Sequence, residues 1–246
     1  MAVIRDMMPA FELFQPASIA DAQALLSRYG GDAWVLAGGL DSFDWLKDRI
    51  KRPRYVVDLS GVPGLRGIRE VDGGLEIGSM TTLTEVVRHP VVRDRYAILM
   101  EAAEAAASPQ IRNQGTIGGN VAQDARCWYY RYGLPCYRAG GNTCFADTPE
   151  GVNREHALFD SDRCVTVTPS DTAPALITLG ASMVLDLVNH AKPDGATESH
   201  LHPHLEAQAT RAATTARSTA SGVQGMASFT SRAWIFLPRY SGVRPT

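Results

Sequence analysis

Two glycine pairs are the first residues of this chain whose spacing suggests chemistry. Gly38-Gly39 lies within the run Val35 to Phe43, and Gly118-Gly119 follows about eighty residues later, within Thr116 to Asn120. A glycine pair between a strand and a helix exposes backbone N–H groups with no side chain in the way, which suits a phosphate or pyrophosphate. A single pair is common in ordinary turns. Neither pair forms the three-glycine dinucleotide fingerprint or a Gly-Lys-Ser/Thr phosphate loop, so the common NAD fold and P-loop chemistry are disfavoured.

The cysteines of the chain are confined to one segment. They are Cys127, Cys136, Cys144 and Cys164, separated by eight, seven and nineteen residues. This spacing is not that of a ferredoxin, and it contains no Cys-x-x-Cys zinc knuckle. The spacing alone leaves three states open: a metal site, buried free thiols, or disulfides. Their confinement favours a local site over a general disulfide scaffold.

One histidine, His156, lies among the cysteines in the sequence. It can be read as a metal ligand, but a hydrogen-bonded structural histidine is the commoner case, and that is the interpretation we adopt. No Ser-His-Asp arrangement, pair of catalytic carboxylates or zinc-protease helix stands out. The sequence therefore predicts no catalytic residue of its own.

Local patterns predict a small α/β unit over residues 1–60. Ser18 is the predicted cap of a helix, and Ala33 to Ala37 and Tyr55 to Leu59 are predicted strands. The first glycine pair is the turn between a strand and a second helix, with Asp41 or Ser42 as its predicted cap.

A second unit is predicted over residues 61–188, and it includes a cysteine-rich loop at 126–165. Two strands are expected around the Asp72-Gly73 turn, followed by alanine-rich helices. The predicted elements are strands at Leu65 to Arg69, Leu75 to Gly78 and Ala181 to Leu187, and helices at Leu83 to Arg88, Tyr96 to Ala107 and Thr172 to Leu179.

The composition changes after Val188. Residues 189–246 contain four of the six histidines and many alanine, threonine and serine residues, but no lysine after Lys192. Such a stretch has too little apolar area to offset the conformational entropy lost on folding, so we predict disorder apart from local docking of Trp234 to Leu237. Two origins stay open: a flexible tail, or a change of reading frame in the source gene.

Charge and hydropathy exclude several classes of partner. The formal net charge of −2 and the lack of basic runs interleaved with aromatics argue against nucleic acid. The longest apolar stretch, Ala173 to Val188, is too short to span a bilayer. No signal peptide begins the sequence, so we expect a cytoplasmic location, or a periplasmic one if a partner subunit carries the export signal.

Four successive stretches resemble the FAD subunit of molybdenum hydroxylases, the family of xanthine dehydrogenases, molybdenum-type carbon monoxide dehydrogenases and aldehyde oxidoreductases. They read VLAGGLDSFDWLKDRI, YVVDLSGVPGLRGI, GLEIGSMTTLTEV and SPQIRNQGTIGGNVAQ. The resemblance runs from about Pro9 to Leu187. It implies an α/β (α+β) fold, the two-subdomain FAD-binding fold of the vanillyl-alcohol-oxidase/PCMH type with a cysteine-rich inserted loop.

In the resembled family, two glycine loops hold the FAD pyrophosphate between the subdomains. Here these loops correspond to Leu36 to Ser42 and Thr116 to Asn120. The resemblance also implies that Asp171 lies near the flavin, with Asp124 as a weaker candidate. The implied cofactor-binding residues are Leu36, Ala37, Gly38, Gly39, Leu40, Asp41, Ser42, Thr116, Gly118, Gly119, Asn120, Asp124 and Asp171.

The cysteine-rich segment resembles one branch of that family, the FAD subunits of 4-hydroxybenzoyl-CoA reductase and of bacterial aldehyde oxidoreductases. The stretches concerned read RCWYYRYGLPCYRAGGNTCFA and NREHALFDSDRCVTVTPSDTAPAL. Those subunits carry an inserted loop that binds a [4Fe–4S] cluster through four cysteines, and all four positions are filled here. The resemblance thus implies Cys127, Cys136, Cys144 and Cys164 as iron ligands, and thiolate is a soft ligand suited to iron.

The resemblance implies an FAD-containing electron-transfer subunit of a heteromeric molybdenum hydroxylase or dehydrogenase. The expected partners are a molybdenum-cofactor large subunit, which binds the organic substrate, and a [2Fe–2S] small subunit. Nothing after Val188 resembles the family's C-terminal α/β domain, so some flavin contacts are expected to be absent or altered. Two alternatives stay open: a folded but non-catalytic fragment, and a zinc-stabilised binding module.

Overall fold

The computed structural model describes residues 8–159, 161–184, 190–191, 197–198 and 234–238. Most of the disorder predicted for residues 189–246 falls outside these ranges. So do residues 185–187 of the strand predicted at the end of the second unit.

Helices and short strands alternate along the described part of the chain. The strands are β1 (Glu12–Phe14), β2 (Ala33–Leu36), β3 (Tyr55–Asp58), β4 (Ile68–Val71), β5 (Gly74–Gly78), β6 (Ser182–Val184), β7 (His190–Ala191), β8 (Thr197–Glu198) and β9 (Trp234–Pro238). The helices are α1 (Ile19–Tyr29), α2 (Leu40–Lys47), α3 (Leu83–Arg88), α4 (Pro90–Arg95), α5 (Ala97–Ala105), α6 (Pro109–Gln114), α7 (Ile117–Val121), α8 (Trp128–Arg131) and α9 (Ala173–Thr178).

The first sheet is parallel, in the order β1-β3-β2. Ser18 caps α1 as predicted, because its side chain accepts a hydrogen bond from the backbone N–H of Asp21 at 3.1 Å. α1 buries Ala22 and Leu26 in a common core with Val57 of β3. The first glycine loop therefore follows β2, a strand that is hydrogen-bonded to β3 on one side and packed against α1.

The helix after this loop begins earlier than the sequence predicts. α2 starts at Leu40 with Gly39 as its N-cap, whereas the sequence favours Asp41 or Ser42 as the cap. Gly39 has φ +80°, a left-handed conformation that glycine adopts without a Cβ penalty. Because glycine completes the turn, Asp41 and Ser42 fall inside the first turn of α2, and their side chains are available for other contacts.

The second sheet is antiparallel, in the order β4-β5-β9-β6. β4 and β5 form the predicted hairpin around Asp72-Gly73, with Gly73 at φ +91°. Leu75 and Ile77 of β5 are buried in the main core, together with apolar residues of α3, α5, α7 and α9. β7 and β8 form a separate antiparallel pair.

The docking predicted for Trp234 to Leu237 takes the form of a central strand. β9 lies between β5 and β6 and pairs with both. Ile235 and Leu237 are 2% and 0% exposed, and the Tyr96 hydroxyl donates a hydrogen bond to the Pro238 carbonyl at 3.2 Å. Five residues of the compositionally unusual region thus complete the core of the second sheet.

A third buried cluster joins the cysteine-rich segment to the first sheet's helix. Trp45 of α2 packs against Ala125, Tyr130 and Cys136. The Trp45 and Tyr130 rings lie 5.3 Å apart between centroids. This packing fixes Cys136 relative to the helix that follows the first glycine loop.

Candidate functional site

The two glycine loops lie side by side. The first leads from β2 into α2, and the second leads into α7 with Thr116 as its N-cap. A Cβ atom at Gly38 would lie 2.3 Å from the Gln114 carbonyl oxygen, and one at Gly119 would lie 4.0 Å from the Ala37 Cβ. The backbone can approach Gly38 this closely only because that residue has no side chain, whereas the 4.0 Å at Gly119 is an ordinary van der Waals distance.

The backbone N–H groups of the second loop are engaged within the protein. Gly118 donates to the Ser79 carbonyl at 2.9 Å, and Gly119 donates to the Thr116 hydroxyl at 3.0 Å. A Cβ at Gly118 would meet Ser79 atoms at 2.8 Å. The second loop is therefore a close-packed wall, rather than a source of open donors.

The first loop presents open donors. The first N–H groups of α2, at Leu40 and Asp41, have no acceptor within the helix, and none of the described residues supplies another. The partial positive charge at the start of a helix adds to the attraction for an anion. An anion between the loops would thus take its hydrogen bonds mainly from the first loop.

The side chains of the first loop hold it in place. Asp41 accepts hydrogen bonds from Trp45 Nε1 at 3.1 Å and from Arg131 Nη2 at 3.1 Å. Arg131 also stacks over the Trp45 ring, with Cζ 4.4 Å from the ring centroid. Ser42 accepts from Trp34 Nε1 at 3.0 Å. These contacts tie the loop both to β2 and to the cysteine-rich segment.

Asn120 connects the second loop to the residues before α9. Its side-chain oxygen accepts from the Ser170 hydroxyl at 2.9 Å and from the Thr172 hydroxyl at 2.8 Å. Its side-chain nitrogen donates to the Asp171 carboxylate at 2.8 Å. Asn120 is itself buried, whereas Asp171 is exposed. The arrangement fixes an exposed carboxylate beside the second glycine loop.

Asp124 is the centre of a charged network at the start of the cysteine-rich segment. It pairs with Arg138 at 2.8 Å and accepts a hydrogen bond from the Tyr130 hydroxyl at 2.8 Å. Lys51 donates to that hydroxyl at 2.6 Å and lies 3.8 Å from the carboxylate. Burial lowers the pKa of Lys51, against the effect of Asp124. Burial raises the pKa of Tyr130 above its usual range, and Asp124 adds to the rise.

We expect Asp124→Asn to destabilise the protein by about 2–3 kcal/mol in a chemical denaturation experiment. Asp124 and Arg138 are 11% and 10% exposed, so removing one charge leaves the other largely buried, which for a fully buried pair costs about 3–5 kcal/mol. Asparagine still accepts hydrogen bonds, which reduces the loss.

The matched control for this change is Glu70→Gln. Glu70 pairs with Arg95 at a similar distance of 3.1 Å, but both side chains are about half exposed. Replacing Glu70 should lower the free energy of unfolding by less than about 1 kcal/mol. Equal losses in the two variants would show that the Asp124 network contributes no more than a surface pair.

The four cysteines line one cavity. All four are free thiols, which removes the disulfide alternative, and Cys136 is buried. The wall of this cavity includes Cys127, Tyr129, Tyr130, Cys136, Tyr137, Arg138, Cys144, Phe145, Ala146, His156, Cys164 and Thr166. The fold thus brings together cysteines that are up to thirty-seven positions apart in the sequence.

Cys127 shows the electrostatic character of this cavity. Burial raises the pKa of the Cys127 thiol, whereas hydrogen bonds from the backbone N–H groups of Tyr130 and Tyr129 oppose the rise. The neighbouring Cys136 and Cys164 raise it further, because like charges disfavour a second thiolate. In the described ranges, no group of three or more histidine, cysteine or acidic side chains is arranged to hold a metal ion.

Residues 9–213 match the family model described as the FAD binding domain in molybdopterin dehydrogenase. The match covers well over half of the chain. The chain belongs to this family. The resemblance seen in the sequence is confirmed, and the two glycine loops lie within the matched domain.

Curated relatives of this FAD-binding domain are subunits of dehydrogenases and oxidoreductases. The medium chain of carbon monoxide dehydrogenase from Hydrogenophaga pseudoflava is 43% identical over 114 residues, which cover 46% of this chain and 40% of the relative. The aldehyde oxidoreductase FAD-binding subunit PaoB of Escherichia coli (strain K12) is 37% identical over 196 residues, covering 78% of this chain and 59% of the relative. The chain thus spans between two fifths and three fifths of the length of these two relatives.

Solved structures share the fold of this FAD-binding domain. Carbon monoxide dehydrogenase from Oligotropha carboxidovorans matches with a TM-score of 0.57 at 26% identity, over 95% of this chain and 61% of that one. Quinoline 2-oxidoreductase from Pseudomonas putida 86 matches with a TM-score of 0.56 at 20% identity, over 96% of this chain and 61% of the other, and this likeness concerns the fold alone. The predicted mixed α/β fold is confirmed. Among the described residues, no helix has the length and apolar character needed to cross a membrane.

The interpretation of His156 as a hydrogen-bonded structural histidine is wrong. Both ring nitrogens are buried and have no hydrogen-bond partner within the described part of the domain. Its ring lines the cysteine cavity instead. The two cases could not be distinguished from the sequence, because the residues around the ring are distant from it along the chain.

The sequence did not reveal the residues that connect the glycine loops to the cysteine-rich segment. Trp45 is the one with a local signal, because it stands four positions after Asp41 on α2, where side chains meet. Lys51 and Tyr130 are 79 residues apart, and Arg131 and Asp41 are 90 apart. No local pattern reveals contacts at such separations.

Proposed function

We propose that this chain is the FAD-containing electron-transfer subunit of a heteromeric molybdenum hydroxylase or dehydrogenase. It would pass electrons between iron–sulfur and molybdenum centres and an external acceptor or donor. The observation that carries the proposal is the close approach of two glycine loops within a domain of the FAD-binding family. A bound FAD supplies the electron-transfer chemistry, and the protein supplies binding and orientation.

The residues present fit a pyrophosphate between the loops. Leu36 to Ser42 would provide the open N–H groups at the start of α2, and Thr116 to Asn120 would provide the opposing wall. A Cβ at Gly119 would lie 4.0 Å from the Ala37 Cβ, in ordinary van der Waals contact across the two loops, and 2.9 Å from the Thr116 hydroxyl of its own loop. Asp171, which Asn120 holds beside the second loop, would be a carboxylate near the flavin. In this proposal the side chains of Asp41, Ser42 and Asp124 orient the site and do not contact the cofactor.

We further propose that the cysteine cavity holds one [4Fe–4S] cluster. Four free thiols line one cavity and provide a soft donor set of the right number for a cluster, although the described side chains are not arranged around a single metal ion. The N–H groups of Tyr129 and Tyr130 directed at Cys127 suit a sulfur atom that carries negative charge. A bound cluster supplies single-electron transfer.

Partners and domain organisation follow from the same proposal. The chain would assemble with a molybdenum-cofactor large subunit, where the organic substrate binds, and with a [2Fe–2S] small subunit. Residues 1–60 and 61–188 would be the two flavin-binding subdomains, since the parallel sheet ends at Asp58 and the hairpin of the second sheet begins at Ile68. The cytoplasmic location expected from the sequence is part of this proposal.

The test is a spectrum and metal analysis of the chain produced together with its neighbouring subunits and then separated from them without oxygen. We expect close to one FAD and about four iron atoms per chain, with a flavin band above a broad iron–sulfur absorption. A colourless, iron-free chain would favour the non-catalytic fragment. Zinc without flavin would favour the binding module.

A further inference from the structure

The imidazole of His156 lacks the contacts that a buried ring normally makes. A neutral imidazole carries one N–H donor and one acceptor, and a charged one carries two donors. Buried polar atoms in proteins nearly always have a partner. Here Nδ1 and Nε2 are both buried, and the described residues provide a hydrogen-bond partner for neither. Both ring nitrogens are therefore available to a partner that the described residues do not supply.

The backbone holds His156 at the cysteine cavity. Its N–H donates to the Asn153 carbonyl at 3.0 Å, and the next residue, Ala157, donates to the Val165 carbonyl at 2.8 Å. Val165 directly follows Cys164, so the segment carrying the histidine is bonded to the segment carrying the fourth cysteine. The ring lines the cavity together with all four thiols. Its position is thus set by main-chain contacts and does not depend on the ring's own hydrogen bonds.

The lining of that cavity offers two kinds of side-chain acceptor, the four cysteine sulfurs and the hydroxyls of Tyr129, Tyr130, Tyr137 and Thr166. No aspartate or glutamate lines it, and Arg138, the other basic residue on its wall, pairs with Asp124. Four thiolates already complete the ligand set of a cubane cluster. The histidine is therefore an additional polar group, beyond the number of ligands that the iron requires.

We propose that His156 donates a ring N–H hydrogen bond to a sulfur atom of the cluster in the cysteine cavity and thereby raises the reduction potential of the cluster. This inference rests on the proposed [4Fe–4S] site. A hydrogen bond to sulfur stabilises the state with the extra electron more than the oxidised state, and such bonds are among the factors that set cluster potentials. His156 is then a positioning and tuning residue, and not an iron ligand.

The test compares His156→Leu with His156→Gln in the intact complex, using iron content and an EPR-monitored redox titration with dithionite. Leucine removes the donor, and we expect iron to be retained while the midpoint potential becomes more negative by about 59 mV, a tenfold change in a one-electron equilibrium. Glutamine keeps an N–H donor and should keep most of the wild-type potential. His89→Leu is the matched control, because His89 also has a buried, unpartnered ring nitrogen but does not line the cavity.

Each outcome decides the matter. Iron-free wild-type protein would overturn both the cluster and this inference. Iron with an unchanged potential in the leucine variant would overturn the inference alone, as would equal shifts in the leucine and glutamine variants. Loss of iron in both variants would assign the ring a ligand or folding role and also overturn it. If His156→Leu loses iron while His156→Gln keeps both its iron and its potential, the result would support the need for an N–H donor.

Discussion

Gly119→Val is expected to weaken FAD binding by about 100-fold, or about 2.8 kcal/mol. The new Cβ would lie 2.9 Å from the Thr116 hydroxyl, which now accepts the N–H hydrogen bond of residue 119. The branched side chain would also extend toward Ala37 and fill the space between the loops. Both effects act at the proposed pyrophosphate site, so flavin released from the purified variant should fall well below one per chain.

The matched control is Gly61→Val, because a Cβ at Gly61 meets no atom within 4 Å and its φ is not positive. This variant should keep its FAD and its stability. Stoichiometric FAD in Gly119→Val would show that the second loop does not border the flavin. Loss of the folded state in Gly119→Val, measured by thermal denaturation without FAD, would instead assign the effect to packing.

The sequence predicted best those elements whose determinants are local. The cap of α1 by Ser18 and the hairpin around Asp72-Gly73 depend on side chains and φ angles within a few residues. The family resemblance located both glycine loops. The resemblance did not reveal that the two loops differ in their free donors. The N–H groups of Gly118 and Gly119 already donate hydrogen bonds to Ser79 and Thr116.

The start of α2 shows why local rules failed at the site itself. Capping preferences favour Asp41 or Ser42 over glycine. In the fold, however, these two side chains contact Arg131 and Trp34, and the former lies 90 residues away. Because the left-handed turn at Gly39 starts the helix, the side chains of Asp41 and Ser42 do not cap it and can make these contacts. The site therefore departs from the local pattern where it must connect the loop to the cysteine-rich segment.

The composition of the chain did not predict β9 as a central strand. The region after Val188 lacks apolar periodicity, and composition alone predicts no packed strand beyond local docking. Ile235 and Leu237 nevertheless become almost fully buried, because β5 and β6 leave a place for one strand between them. Only the arrangement of the whole second sheet creates that place.

The two glycine loops and the cysteine cavity are connected by shared supporting contacts, but no described residue of the loops lines the cavity. Arg131 and Trp45 connect them through Asp41, whereas the loops are otherwise held by their own sheets and helices. The thiols line a cavity that none of the glycine-loop residues borders within the described structure. A change confined to one cysteine should therefore separate loss of iron from loss of flavin.

Cys136→Ser is expected to remove more than half of the bound iron while leaving FAD near one per chain. Cys136 is the most buried of the four thiols, and a serine hydroxyl is a hard, protonated oxygen that ligates iron poorly. Iron and flavin would be assayed on the same anaerobic sample, with Thr166→Ser as control because it alters the cavity wall without removing a thiol. Unchanged iron in Cys136→Ser would contradict a four-cysteine cluster, and parallel loss of flavin would show that the two sites depend on each other through the Trp45 cluster.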